Sequence, residues 1–372
     1  MKIKQINLLP LTLKLNHPFR TNHGVTLQRP ITLVEIQLTS GINGYGEIQA
    51  FADDSYAPQT QAIACHALNQ VLPRLIGCNF YQPTDLAPQL DYLTSFARAS
   101  VEMALWDAYG KTTNQSLAEL IGLPKPKSIP VGTVIGMQTN VQQTAAQIQA
   151  ATQQGYQKLK FKAANHETSL KLVKLGHELA PSVITTIDAN QAWDNNLATL
   201  TALKRLEKHG LKLIEEPLQQ ASWTDYANLQ QNFKHLLLSL DESLVDLASI
   251  KSALKYNSAN AFTIKQGKLG GIATALTAID LIKQAGKVPW IGGMLTSGLG
   301  RSVDLALASR VGSNSVPADI SASSHYFEQD FVNENLEVQH GLIDVPTNPG
   351  IGVTMNWQAI QQLQTGPTIQ YK

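Results

Sequence analysis

Five charged side chains carry the chemistry that this sequence can offer: Lys162, Asp188, Glu215, Asp241 and Lys265. Each stands at or beside the end of a short apolar run (QKLKFK, VITTID, LKLIEE, LLLSLD and AFTIK), and they follow one another at separations of 26, 27, 26 and 24 residues. That interval is the length of one strand plus one helix. In a ring of such units, residues one repeat apart at strand C-termini converge on one mouth, which is where barrel enzymes do their chemistry. Three carboxylates meeting without His or Cys offer hard oxygen ligands only, which points to Mg²⁺, with Mn²⁺ as a substitute, and away from Zn²⁺. Lysines on either side of such an ion can serve as acid and base.

Taken singly, each residue also has a plainer reading. Asp241 opens DES before a helical stretch and reads equally as an N-cap, and Asp188 as a cap or turn residue. Glu216 points to the opposite strand face from Glu215 and is expected to be structural. Lys158, Lys160 and Lys162 share one face by period-two alternation. On an exposed strand that stripe would be solvated; inside a barrel it needs carboxylates, a metal site or an anionic substrate beside it. Lys158, lowest in the barrel, is the member least expected to take part. The joint periodicity of the five favours function over capping.

The elements that must position them follow from punctuation and period. Apolar strand-like runs recur at 130–136, 157–162, 183–188, 211–216, 236–241, 261–265, 288–293 and, more weakly, 316–321, each gap holding a stretch of helical period. Strands alternating with helices imply a parallel sheet with right-handed crossovers, and eight can close into a barrel. Three prolines in GLPKPKSIP, residues 122–130, mark a connection that neither a helix nor a central strand tolerates. Before it, MKIKQINLLPLTLKL reads as a first strand and not a signal peptide. Ile31 to Leu38 and GINGYGE read as antiparallel strands, and Phe96 to Tyr109 as a buried helix. The expectation is an α+β capping unit over 1–125, a barrel over 126–334, and a turn-rich tail from about 335 to 372 that returns to the first unit.

Composition narrows the partners. The 372 residues carry 29 Lys+Arg against 28 Asp+Glu, a net charge of +1, so there is no basic field for nucleic acid or anionic lipid. No stretch approaches the roughly 18 consecutive apolar residues of a membrane span. A small-molecule carboxylate substrate and copies of the chain itself, as a homo-oligomer, remain. Cys65 and Cys78 are too few for a disulfide framework, which suits a reducing, cytoplasmic setting. GLGRSVDLALA at 298–308 resembles half a dinucleotide fingerprint but lacks the third glycine. The nine histidines show no ligand spacing. A Schiff-base aldolase would use one lysine and no metal, and the three ordered carboxylates argue against it. A non-catalytic protein on this fold would be expected to lose at least one of the lysines.

The motifs, in order, resemble the enolase superfamily, its muconate-lactonizing-enzyme subgroup, and within that the o-succinylbenzoate synthase / N-succinylamino acid racemase group. The KxK motif appears as Lys160-Phe161-Lys162 in GYQKLKFKAA, followed by IDAN, IEEPL, LDES and IKQGKLGG; PFRTNHG, EMALWDAYGK, PWIGGMLTSGLGR, DISASSHYF and VPTNPGIGV match as well. The resemblance covers nearly the whole chain. It implies an α/β fold, a (β/α)7β TIM-like barrel under an α+β capping domain. It further implies that Asp188, Glu215 and Asp241 hold Mg²⁺, that Lys162 is the base with Lys265 across the substrate, and that Lys160, Asn190 and Met294 contact that substrate. Arg20 and Tyr56 then belong to the specificity loops His17 to Gly24 and Phe51 to Tyr56.

The implied reaction is the dehydration of 2-succinyl-6-hydroxy-2,4-cyclohexadiene-1-carboxylate to 2-succinylbenzoate, a step of menaquinone biosynthesis; racemisation of N-succinylamino acids at the same two lysines is the alternative. A proton alpha to a carboxylate is barely acidic, so the growing negative charge must be neutralised while Lys162 takes the proton. The same lysine, now an ammonium, can protonate the departing hydroxyl on that face, and Lys265 need only stay cationic. Two departures stand out: Val134 where many relatives have serine, and Lys268 where racemase-competent relatives usually have arginine.

Overall fold

The computed structural model describes residues 1–21, 24–122, 128–136, 140–312 and 316–372. The expected boundary near residue 125 and much of the proline-rich connection lie outside the described residues. An antiparallel sheet begins the chain, with β1 (Ile3–Thr21), β2 (Gly24–Leu38) and β3 (Asn43–Ile48) joined as a meander. Alternation sets its inner face: Ile6 and Leu8 of β1 and Val34 and Ile36 of β2 are buried in one cluster with Phe96, Val101, Ala104 and Leu105 of the helix Ser95–Thr113. Each fully buried aliphatic side chain contributes about 1.5–3 kcal/mol.

The glycines of GINGYGE let the sheet and helix approach backbone to backbone. A Cβ at Gly46 would overlap the carbonyl oxygen of Ser100 and lie 3.0 Å from the amide nitrogen of Ala104. Neither contact is with a side chain that could turn away. Gly46→Ala is therefore expected to destabilise the protein by about 1–3 kcal/mol through overpacking, read as a lowered midpoint in thermal unfolding.

After the short β4 (Ser128–Pro130), seven parallel strands follow in chain order: β5 (Gly132–Ile135), β6 (Lys158–Lys162), β7 (Ile184–Asp188), β8 (Leu213–Glu215), β9 (Leu237–Leu240), β10 (Ala261–Ile264) and β11 (Val288–Ile291). Helices occupy the intervals, so the protein is a (β/α)7β barrel beneath an α+β capping unit. The eighth run, 316–321, departs from the expectation of a strand. It closes the ring by single contacts: Gly132 donates from its amide to the Ala318 carbonyl at 2.7 Å, and the Asp319 amide donates to the Ile291 carbonyl at 3.0 Å. Pro317 has no amide hydrogen to extend that ladder. In the tail, β12 (Leu342–Asp344) pairs with β4, and β13 (Ile369–Tyr371) adds to the antiparallel sheet beside β1. Among the described residues, no helix is long and apolar enough to cross a membrane.

Candidate active site

Strand alternation explains why the lysine stripe faces inward. Leu159 and Phe161 are buried on the outer face of β6 among the helix residues, which leaves Lys158, Lys160 and Lys162 to the barrel interior. Register then builds the mouth. Lys162 is paired laterally with Asp188, and Asp188 with Glu215, so the three stand in one row at the strand C-termini. Glu215 pairs with Ser239 and Ser239 with Ala261, so Asp241 lies two residues above that row and Lys265 four. The even offsets keep both side chains on the inner face, as barrel stagger requires.

The five charged groups come to one mouth as lysine–carboxylate pairs, joined by residues from elsewhere. Lys162 Nζ donates to Asp188 Oδ2 at 2.6 Å and to Asn190 Oδ1 at 3.0 Å. Lys160 Nζ donates to Glu215 Oε2 at 2.8 Å. Lys265 Nζ donates to Asp241 Oδ2 at 2.5 Å and to the Tyr56 hydroxyl at 2.8 Å. Lys268 Nζ reaches the carbonyl of Asp241 and its Oδ1, the latter at 3.1 Å. Asn190 is held in turn, its Nδ2 donating to Glu242 Oε1 at 2.8 Å.

A cavity of about 120 Å³ opens over this cluster. Lys160, Lys162, Asp188, Asn190 and Lys265 form its floor; Met294, Leu295 and Val134 form barrel walls, and Phe19, Phe51 and Tyr56 come from the cap. Val134 thus presents an apolar wall at the position noted for lacking serine. The side chain of Arg20 lies outside the described residues.

Electrostatics follow from burial and pairing. Burial by itself would raise the carboxyl of Asp188, but Lys162 and then Lys160 outweigh it and hold it below the ordinary range. Asp241 is held well below that range in the same way, by Lys265 and Lys268 against burial. Glu215 goes the other way: burial, followed by repulsion from Asp188, pushes it up to about 8 against the pull of Lys160. Lys265 stays firmly cationic because Asp241 overrides its burial.

The plainer readings are decided by contacts. Asp241 caps no helix, since the next one, Leu247–Lys255, takes Asp246 as its N-cap. Glu216 is structural: its Oε2 accepts the amide of Asp241 at 2.6 Å and its Oε1 the hydroxyl of Tyr226 at 3.0 Å. The glycines of GLGRSVDLALA open the helix Gly298–Val311, where Ser297 is the N-cap. Asp319 escaped the sequence reading. Its carboxylate takes Lys158 at 2.6 Å and Lys160 at 2.5 Å, and Lys158 Nζ also sits 4.1 Å from the centre of the Trp290 ring. Lys158 is fully buried, so this partner and the ring are what make it tolerable. The signal was an acid in the weakest strand-like run, which period alone did not promote.

The three carboxylates suit a hard divalent cation in kind: they are all-oxygen and buried, and burial first, then repulsion from Asp188, raises Glu215. As they stand, each is turned onto a lysine, and among the described residues no group of three acidic, His or Cys side chains is within chelating reach.

Comparison with known proteins places the chain. Its residues 143–359 match the family model "Enolase C-terminal domain-like", and residues 5–122 match "Mandelate racemase / muconate lactonizing enzyme, N-terminal domain". It is 32% identical over 368 residues to an o-succinylbenzoate synthase of Bacillus subtilis, covering 98% of this chain and 97% of that one. It is also 32% identical over 366 residues to an N-succinylamino acid racemase of Thermus thermophilus, covering 98% and 97%. The solved structure of an enolase superfamily member from Listeria innocua superposes with a TM-score of 0.91 at 31% identity, covering 99% of this chain and 98% of that one. Fold, inward-facing lysines and full-length similarity agree: the chain belongs to the enolase superfamily, in its mandelate racemase / muconate lactonizing enzyme family.

Proposed function

We propose that the protein is an o-succinylbenzoate synthase, a hydro-lyase that dehydrates 2-succinyl-6-hydroxy-2,4-cyclohexadiene-1-carboxylate to 2-succinylbenzoate in the cytoplasmic synthesis of menaquinone. The observation that carries the reading is the placement of Lys162 and Lys265, four strands apart around the barrel, on one cavity with carboxylates between them. Full-length similarity to curated o-succinylbenzoate synthases supports the choice of substrate.

Enolase superfamily members are generally divalent-metal dependent. In this reading Asp188, Glu215 and Asp241 hold Mg²⁺, which when bound supplies neutralisation of the charge that grows on the substrate carboxylate. Lys162 removes the alpha proton and, as an ammonium on the same face, returns it to the departing hydroxyl. Asn190, bonded to both Lys162 and Glu242, orients that amine. Lys265 remains a fixed cation, tethered by Asp241 and Tyr56. Met294 and Val134 present apolar surface to the ring, and the cap side chains shield it from water. The test is direct: the purified enzyme with Mg²⁺ should convert the cyclohexadiene substrate to the aromatic product. No turnover, alongside activity on N-succinylamino acids, would overturn the reading.

Racemisation is the second reading, favoured by similarity to N-succinylamino acid racemases and by the two lysines on one cavity. It requires both lysines to alternate between neutral and charged forms, whereas dehydration asks this only of Lys162. Lys268 is the residue that separates the two, since it shares Asp241 with Lys265. A planar, more weakly hydrated arginine there would pair with Asp241 differently from the compact ammonium. In deuterated water the wild type should exchange the alpha proton of one N-succinylamino acid enantiomer much faster than that of the other, and Lys268→Arg should narrow the gap. Equal exchange by the wild type would favour a racemase.

A further inference from the structure

One buried cation has no part in the chemistry above. Arg29 of β2 is 0% exposed, and its charge is met by backbone carbonyls. Nε donates to the Leu295 carbonyl at 2.8 Å, Nη1 to the Ala50 carbonyl at 2.5 Å, and Nη2 to the Gln49 carbonyl. The guanidinium also lies 4.1 Å from the centre of the Phe51 ring. Burial of a charge on this scale is costly unless several acceptors share it, so the geometry is over-determined.

What those acceptors belong to gives the arrangement its meaning. Ala50 and Phe51 begin the cap loop that ends at Tyr56, whose hydroxyl touches Lys265 and Asp241. Leu295 belongs to the barrel segment after β11, which supplies Gly293, Met294 and Leu295 to the cavity wall. One planar fork thus ties a cap loop and a barrel wall that face the same substrate. A second tie grips the same segment: Ser297, the N-cap of Gly298–Val311, donates its hydroxyl to Glu47 Oε2 of β3. Gly300 follows, where a Cβ would overlap Glu47 Oε1, so cap and barrel are in van der Waals contact here.

We propose that Arg29 is a positioning residue for substrate recognition, locking loop 50–56 of the cap and segment 292–297 of the barrel into one cavity-forming arrangement, with the Glu47–Ser297 bond as its partner on the barrel side. The kinetic side of the proposal rests on the synthase reading; its mechanical side does not. Lysine carries the charge but lacks the fork that spans carbonyls in different directions, so Arg29→Lys isolates the geometry.

The experiment uses the full chain and reads amide hydrogen exchange by mass spectrometry together with steady-state kinetics on the cyclohexadiene substrate. Arg29→Lys should speed exchange of 51–56 and 292–297 together by roughly tenfold or more, leaving strands β6 to β10 and the helix Ser95–Thr113 at wild-type protection. KM should rise roughly tenfold with a smaller loss in kcat, since both segments wall the substrate while the base Lys162 stands on β6 outside them. Ser297→Ala should loosen 292–297 alone and raise KM less; it decides the matter if Arg29→Lys fails to fold. Exchange rising across the whole antiparallel sheet would make Arg29 a stability residue and overturn the proposal. So would an unchanged KM in both variants. Should the wild type not dehydrate the substrate, the synthase reading falls, while the exchange pattern still decides the coupling of the two segments.

Discussion

Lys162→Ala is expected to lower kcat by roughly 10²–10⁴ or more, the range for loss of a positioned general base, with KM little changed. The residue touches both Asp188 and Asn190 and faces the cavity, so its ammonium has a defined position and a defined neighbour on each side. Its side chain is among the more exposed of the inward lysines, at 11% against 0% for Lys158. Truncation empties the cavity floor and takes the nearer lysine from the buried Asp188, which keeps Lys160 at 3.4 Å, so the fold should persist by circular dichroism. Divalent-cation binding, followed by calorimetry, should persist too. Near wild-type turnover by the Lys162→Ala variant would show that another group accepts the proton.

Removal of divalent metal should have the largest effect of all: exhaustive chelation should bring turnover to background, and Mg²⁺ or Mn²⁺ should restore it where Zn²⁺ does not. The physical reason lies in the charge that proton abstraction adds to an existing carboxylate, which lysines alone neutralise incompletely. Glu215→Gln tests the same point from the protein side. Glu215 is fully buried, with Lys160 on Oε2 and Thr263 donating to Oε1 at 3.1 Å, so an amide of the same shape keeps the packing. It is expected to weaken Mg²⁺ binding by at least about tenfold in calorimetry, with little loss of thermal stability, because barrel-mouth residues serve function more than fold. Turnover that survives chelation would remove the metal from the mechanism altogether.

How much of this was legible in advance depended on the range of the interaction concerned. The period of the five charges and the inward face of Lys158, Lys160 and Lys162 follow from strand alternation and the length of a strand–helix unit, both local properties of the chain. The strand-like runs from QKLKFK to VPWIGG accordingly coincide with β6 to β11, shifted by one or two residues at their ends. The eighth run did not become a strand, since Pro317 interrupts its hydrogen bonding where the ring closes.

What only the tertiary structure decided are the partners that closure and docking bring together. Asp319 meets Lys158 and Lys160 because the last segment of the barrel lies against the first strands, a juxtaposition without local signal. Tyr56 reaches Lys265, and Arg29 reaches Leu295, because the capping sheet sits over the mouth at one particular height. In the second case the acceptors are backbone carbonyls, which every residue carries, so no choice of side chain announces them. The sequence by itself determined which groups face the mouth; the burial and pairing that set their charge, from the raised Glu215 to the lowered Asp241, arose only when distant elements excluded water around them.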